Sequence, residues 1–232
     1  MNKLQVNETN KLHYGKYLYK LKIYNQLSHI FRTELQRNGK LSYAKQRISE
    51  YFLSHKNGDY IYRNNWGVKT HIAPETLIDA NEIFKVLKLS SDYLVRCETH
   101  TIIVYSNNKT LLLKLANKTK YARPELWEPA ATNIDFLKNN TNVILIDKPS
   151  LYPFKISFGR KKGKPELAKW IKANLDKVQA GVILLKNLED SGWIQGQYIY
   201  ARDEGIVFLI QMIAGDNITR IDKLVYKANL DK

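Results

Sequence analysis

Two stretches of this sequence share one grammar, and they limit the fold more than any other feature. "IIVYSNNKTLLLKLA" covers residues 102–116, and "QYIYARDEGIVFLIQMIA" covers 197–214. In each, an aromatic, extended run passes almost directly into an apolar helix. Asn107 or Asn108 caps the first helix and Asp203 the second, because a side-chain oxygen at that position accepts an orphan N–H of the first turn. Gly215 stops the second helix.

The flanking segments extend the parallel. "KYLYKLKIY" (16–24) alternates, with Tyr17, Tyr19, Leu21 and Ile23 on one side and Lys16, Lys20 and Lys22 on the other with Leu18 and Tyr24. That period of two marks a half-buried strand. Residues 39–55 carry Leu41, Ala44, Ile48, Tyr51 and Phe52 at helical spacing. A strand, a turn at Asn64-Asn65 and another extended piece follow over 58–72. A second helix follows over 74–89, with Pro74 suited to its first turn. Residues 93–108 read as a hairpin turning near Thr99-His100, 122–133 as irregular, and 142–147 as a short apolar strand. In the last third, strands are expected at 152–158, 196–202 and 218–227, and a helix at 164–178. Residues 181–190 fit either a helix end or a strand.

Each part therefore runs strand, helix, strand pair, helix, strand. This is the order of the ferredoxin-like β-α-β-β-α-β unit. The fold class expected is α+β, with two such units in tandem, antiparallel sheets and helices on one face. The expected organisation is a loose tail over 1–11, a first unit over 12–150 with an inserted helix at 74–89, and a second unit over 151–232. A single mixed α+β domain is the alternative.

Composition narrows the function. The 232 residues carry 37 Lys and Arg against 22 Asp and Glu, a formal net charge of +15. Residues 1–72 hold 13 basic and 4 acidic residues, 73–150 hold 10 and 9, and 151–232 hold 14 and 9. Two basic ends around a near-neutral middle favour basic faces, and such fields attract polyanions. With Cys97 as the one cysteine, an internal disulfide is impossible and a cysteine-based zinc site is unsupported. No apolar run is long enough to span a bilayer, and the start, MNKLQVNETNK, lacks a signal-peptide core. These features point to a cytoplasmic protein with no membrane contact.

The segment "FGRKKGKPELAKWIKANL" (158–175) asks whether glycines and cations here hold phosphate. A nucleotide-hydrolase loop needs G-x-x-x-x-G-K followed by Ser or Thr. Here the spacing is one residue short and Pro165 replaces the hydroxyl, which excludes that chemistry. A looser phosphate role for Arg160, Lys161, Lys162 and Lys164 stands against the reading of a solvated basic turn. The strand faces offer a second site. Tyr198, Tyr200 and Arg202 share one face, as do Lys16, Lys20, Lys22 and Tyr24, and Lys155 lies in the strand before the basic loop. Open sheets hold single strands by stacking bases on aromatics and meeting phosphates with Lys and Arg. Ile103 and Tyr105 make a weaker pair, since Ile103 has core character. The layout is similar to RNA-recognition modules, although their aromatic signature is absent.

"TLIDANEIF" (76–84) faintly resembles the LAGLIDADG helix of homing endonucleases. The helix-packing glycines and the second copy are missing, and Asp79 and Glu82 lie mid-helix, so no endonuclease centre is expected. The histidines at 13, 29, 55, 71 and 100 have no metal-ligand spacing. His13, His29 or His100 could serve a metal-independent ribonuclease, a role filled in CRISPR RNA-processing endonucleases of tandem ferredoxin-like fold. The "YGKYLYKL" start and the "VRCETHTIIVYSNN" hairpin resemble uncharacterised, Lys/Asn/Tyr-rich proteins encoded by tailed phages, which implies the host cytoplasm and brings no assigned activity. The expectation is a nucleic-acid-binding protein without its own catalytic centre, cofactor or metal, taking single-stranded RNA or DNA over duplex. A ribonuclease, and a virion or interaction protein or inhibitor that meets an acidic host protein, are the alternatives.

Overall fold

A computed structural model describes residues 4–35, 41–65 and 68–230. The chain divides into two compact units, Met1–Lys138 and Asn139–Lys232. The class is mixed α+β, with two five-stranded sheets and eight α-helices among the described residues.

The first unit contains β1 (Gln5–Glu8), β2 (Tyr19–Tyr24), α1 (Ser28–Leu35), α2 (Ser42–Lys56), β3 (Tyr62–Asn65), β4 (Val68–His71), α3 (Pro74–Lys88), β5 (Leu94–Glu98), β6 (Thr101–Ser106), α4 (Lys109–Lys118) and β7 (Glu125–Glu128). A short helix α5 (Ile134–Asn139) closes it. The second contains β8 (Val143–Ile146), β9 (Phe154–Phe158), α6 (Pro165–Ala173), β10 (Val178–Ala180), α7 (Val182–Glu189), β11 (Tyr198–Ala201), α8 (Glu204–Ala214) and β12 (Ile218–Tyr226).

The two sheets are built alike. The first has strand order β1-β7-β2-β6-β5, and the second, read the same way, β8-β12-β9-β11-β10. In both, the outer pair at one end is parallel, β1 with β7 and β8 with β12. Every other neighbouring pair is antiparallel. The units differ in what interrupts this plan. The first inserts α2, the β3–β4 hairpin and α3 ahead of β5, and the second inserts α7 between β10 and β11.

Local chemistry explains the elements. Asn108 accepts the Leu111 N–H at 3.1 Å and Asp203 the Ile206 N–H at 3.0 Å, so both helices that follow the aromatic strands are capped by side chains. Gly215 ends α8 at φ 56°. Pro74 and Pro165 stand in the first turns of α3 and α6, where no intrahelical N–H is needed. Leu21 and Ile23 of β2 are fully buried with Ile102 and Val104 of β6, under Phe31, Ile83, Leu112 and Leu115. Ile156 and Phe158 of β9 are buried with Ile199 and Ala201 under Leu167, Leu188 and Ile210. Each such leucine or isoleucine contributes about 1.5–3 kcal/mol. Burial also pushes the Cys97 thiol up to about 12.

Several expectations are corrected. The supposedly loose tail over 1–11 contains β1, paired along its whole length with β7 (residues 1–3 lie outside the described residues). The supposedly irregular 122–133 contains β7 itself. The 142–147 strand, assigned to the first unit, pairs with β12 and belongs to the second. The sheets are thus mixed and not purely antiparallel. Helix α1 was not foreseen, α6 stops at Ala173 to leave room for β10, and 182–189 is helix. β3 continues through Asn64-Asn65, so the turn expected at those two residues is strand instead, and residues 39–40 of the helix expected over 39–55 lie outside the described residues.

Asp79 has a structural role. It is 1% exposed, and its carboxylate accepts the backbone N–H groups of Lys120, Tyr121 and Ala122 at 2.8, 3.0 and 2.8 Å. One buried anion thereby ties α3 to the chain leaving α4. Replacing it strands three donors, so D79A should cost about 3–5 kcal/mol in denaturant unfolding, while E82Q on the same helix stays within about 0.5 kcal/mol.

Candidate nucleic-acid interface

Because β2 and β9 each bury one face, their alternate residues face away from the helices. In the first unit, Lys20 pairs across β6 with Tyr105 and across β7 with Trp127. Its ammonium lies 3.5 Å from the Trp127 ring centroid. Burial, followed by the charge of Lys22, pushes the Lys20 amine below its ordinary range. Lys22 stands beside Ile103 and Glu125, and its ammonium is 3.6 Å from the Glu125 carboxylate. Tyr24 is 56% exposed, with His100 at 5.9 Å between ring centroids. At the sheet edge, Arg96 bonds the Glu98 carboxylate and the Tyr14 hydroxyl.

The second unit repeats the central pair. Lys155 of β9 is the register partner of Tyr200 in β11, as Lys20 is of Tyr105. Tyr105 and Tyr200 each stand three residues before the capping residue of the next helix. The Lys155 ammonium is 3.9 Å from the Tyr198 ring centroid, and the two tyrosine rings meet edge to face at 5.3 Å. Burial and the neighbouring Tyr198 raise the Tyr200 phenol. Where the first sheet has Trp127 opposite Lys20, the second has Asp222 opposite Lys155. That carboxylate is buried and bonded by Arg220 at 2.5 Å.

The first face is partly roofed. Lys16 and Tyr17 were expected on a continuous strand with Lys20, but β2 begins only at Tyr19. Tyr14 (φ 56°) and Gly15 (φ 65°) turn the chain, and His13 and Tyr17 pair through their backbones. The turn breaks the period of two, so Tyr17 packs on Ile103 and Tyr105 and not with Leu21 and Ile23. Tyr105 is left 6% exposed, and its phenol is raised by burial and by Tyr14. Lys16 lies over the Tyr17 ring at 5.1 Å.

The basic glycine loop follows β9. Its glycines serve packing: a Cβ on Gly163 would sit 2.5 Å from the Asn187 carbonyl oxygen, and one on Gly159 2.6 Å from the Thr219 methyl. Backbone bonds clamp the loop, from the Gly163 N–H to the Gly192 carbonyl and from the Ile194 N–H to the Lys161 carbonyl. Two of its cations are already bonded within the unit. Lys161 bridges Asp216 at 2.7 Å and holds that carboxyl below its usual range, and Lys164 donates to the Ile213 carbonyl at the end of α8. Arg160 and Lys162 are exposed and make no side-chain bond among the described residues. Arg202, expected on the tyrosine face, lies just beyond β11 and leans 3.6 Å from the Asp203 carboxylate.

The structure thus gathers Lys20, Lys22 and Tyr24 on one sheet face and Lys155, Tyr198 and Tyr200 on another. Lys16 and Arg202 fall off those strands. Trp127, Tyr14 and Arg96 join the first face without any sequence signal, because Trp127 sits in "ELWE", a short strand with no hydrophobic alternation. Among the candidate histidines, His13 lies 5.5 Å from the Tyr105 ring, and its Nε2 is buried without a hydrogen-bond partner. Burial, then the charges of Lys20 and Lys11, lower its pKa to about 4. His29 lies in α1, and His100 in the β5–β6 turn. Among the described residues no group of three or more His, Cys, Asp or Glu side chains could hold a metal, and no helix is long and apolar enough to cross a membrane. Comparison with protein-family models, curated proteins and solved structures gives no match, so geometry alone carries the functional reading.

Two outcomes check this geometry. G163A should lower stability by about 1–3 kcal/mol, since backbone atoms must move to admit a methyl group. For His13, the folded pKa lies below the unfolded value near 6.5, so the unfolded chain binds the extra proton first. Its contribution is intact above about pH 6.5 and is lost as the pH falls toward 4. The Tm difference between pH 7 and pH 5, measured by calorimetry, should therefore be smaller in H13F than in the wild type.

Proposed function

We propose that this chain is a nucleic-acid-binding protein that holds single-stranded RNA or DNA on the uncovered faces of its two sheets. We also read the inner four strands of each unit, with their intervening helices, as a ferredoxin-like β-α-β-β-α-β unit. Order β7-β2-β6-β5 and order β12-β9-β11-β10 support this reading.

One observation carries the functional reading. In both sheets a lysine on the first inner strand is paired in register with a tyrosine on the third, and each lysine lies on an aromatic ring, Trp127 in one and Tyr198 in the other. An aromatic beside an ammonium supplies the two contacts that a single strand requires, a stacking surface for a base and a partner for its phosphate. Tyr24 and Tyr198, both substantially exposed, are the rings most open to a base. Arg160 and Lys162 add charge beside β9, and the net charge of +15 would speed encounter with a polyanion.

Fluorescence anisotropy with labelled single-stranded RNA, single-stranded DNA and duplex DNA, from low salt to about 0.15 M, tests the proposal. Single strands should bind more tightly than duplex and stay bound at the higher salt. In the K20Q/K155Q variant, the slope of log affinity against log salt should flatten by about 1.5, since each phosphate contact contributes roughly 0.7–0.9. Equal, weak binding of all three ligands that vanishes at physiological salt would refute it.

A further inference from the structure

The second sheet carries a cleft at its β10 end. It lies between β10, β11 and the start of α7, with a volume of about 450 Å³ and Gln179, Gly181, Ile183, Gln197, Tyr198 and Tyr200 on its walls. That volume falls in the range of clefts that take small ligands, roughly 300–1,000 Å³. Three features mark it as built.

First, Gln197 Oε1 is buried and has no hydrogen-bond partner. A polar atom in that state is destabilising unless something fills its valence. The Gln197 backbone is fixed on both sides, its N–H bonding the Ile194 carbonyl and its carbonyl accepting the Phe158 N–H. Second, Tyr198 and Tyr200 supply two aromatic rings, with the Lys155 ammonium against the first. Third, Gly181 has φ −73° and ψ 149°, which any residue can adopt, and a Cβ there would meet nothing within 4 Å. Neither backbone strain nor packing calls for a glycine at that position, and its consequence is an open cleft mouth.

The geometry points to a base-recognition pocket. One unstacked nucleobase would lie against Tyr198 and Tyr200, the Gln197 amide would bond its edge, and the adjoining phosphate would meet Lys155. An amide offers a donor and an acceptor together, which suits the edge of a base. Gln197 is then the residue that makes one base preferred over another. This inference rests on the nucleic-acid reading above and adds to it a place and a determinant of specificity.

The test is anisotropy with oligo-U, oligo-C and oligo-A of equal length, on the full-length wild type and on G181L and Q197M. Calorimetry checks that both variants stay folded, with the Tm of Q197M at or above that of the wild type because an unpartnered buried oxygen is removed. The wild type should prefer one homopolymer. Q197M should compress that preference toward equality, through loss of affinity for the preferred base. G181L should fill the cleft mouth and weaken all three by about tenfold, the size of one lost stacking contact. Its salt slope should not change, because no phosphate contact is touched. Unchanged binding in G181L would overturn the pocket while leaving the nucleic-acid reading intact, and would assign the cleft to some other occupant. A wild type equally tight for all three homopolymers would overturn the role of Gln197. No binding by the wild type would defeat the nucleic-acid reading, and the pocket with it.

Discussion

A strand with side chains of period two can bury one face and must show the other, and in this protein only one face of each sheet is sealed by helices. Leu21 and Ile23 in one unit, and Ile156 and Phe158 in the other, are driven inward by the loss of apolar surface from water. Lys20 and Lys155 then have nowhere to go except the opposite face. The positions of Lys20, Lys22, Tyr24, Lys155, Tyr198 and Tyr200 follow from that one-sided burial. It also explains why the lysines rest on rings: their apolar stems and charged heads both find partners on an aromatic surface next to water.

The same plan has been finished differently in the two units. In the first, the turn at Tyr14-Gly15 folds His13 and Tyr17 over Tyr105, so the ring that matches Tyr200 is closed off. In the second, no such roof is present among the described residues, and Tyr200 borders an open cleft. The row beside the lysine also differs, with the half-buried Trp127 ring in one and a buried carboxylate at Asp222, paired with Arg220, in the other. These differences divide the labour suggested for the faces. The first has lysines, Trp127 and the exposed Tyr24, which suit general contact with a strand. The second has a shaped recess with an unsatisfied amide, which suits discrimination.

The basic glycine loop shows how a sequence can misdirect attention. Glycines among lysines suggest a phosphate cradle, but Gly163 is there because the backbone of Asn187 and Leu188 passes too close for any side chain. Lys161 and Lys164 are spent on Asp216 and on a helix-end carbonyl. Such packing depends on segments 20 to 60 residues away, as the Lys161–Asp216 pair illustrates, and no local pattern announces it. Asp79 is a similar case, an apparent acid on a helix that is in fact the anchor of three distant amides.

What the sequence determined by itself is whatever short-range chemistry enforces. The alternation of Lys20, Lys22 and Tyr24 with Leu21 and Ile23, the caps at Asn108 and Asp203, the stop at Gly215 and the hairpin at Thr99-His100 depend on residues within one or two turns of each other, so they can be read in order along the chain. The tertiary structure alone decided the rest. β1 (QVNE) and β7 (ELWE) are four residues each with no hydrophobic alternation, and they become strands through pairing, β1 with β7 and β7 also with β2. The strand at 143–146 belongs to the second unit because β12 offers it a parallel edge. Trp127 reaches Lys20 through a pairing between strands far apart in the chain, and Lys155 reaches Tyr198 and Tyr200 the same way. Long-range pairing selects among strands that local sequence leaves equivalent, and here that selection is what assembles the candidate site.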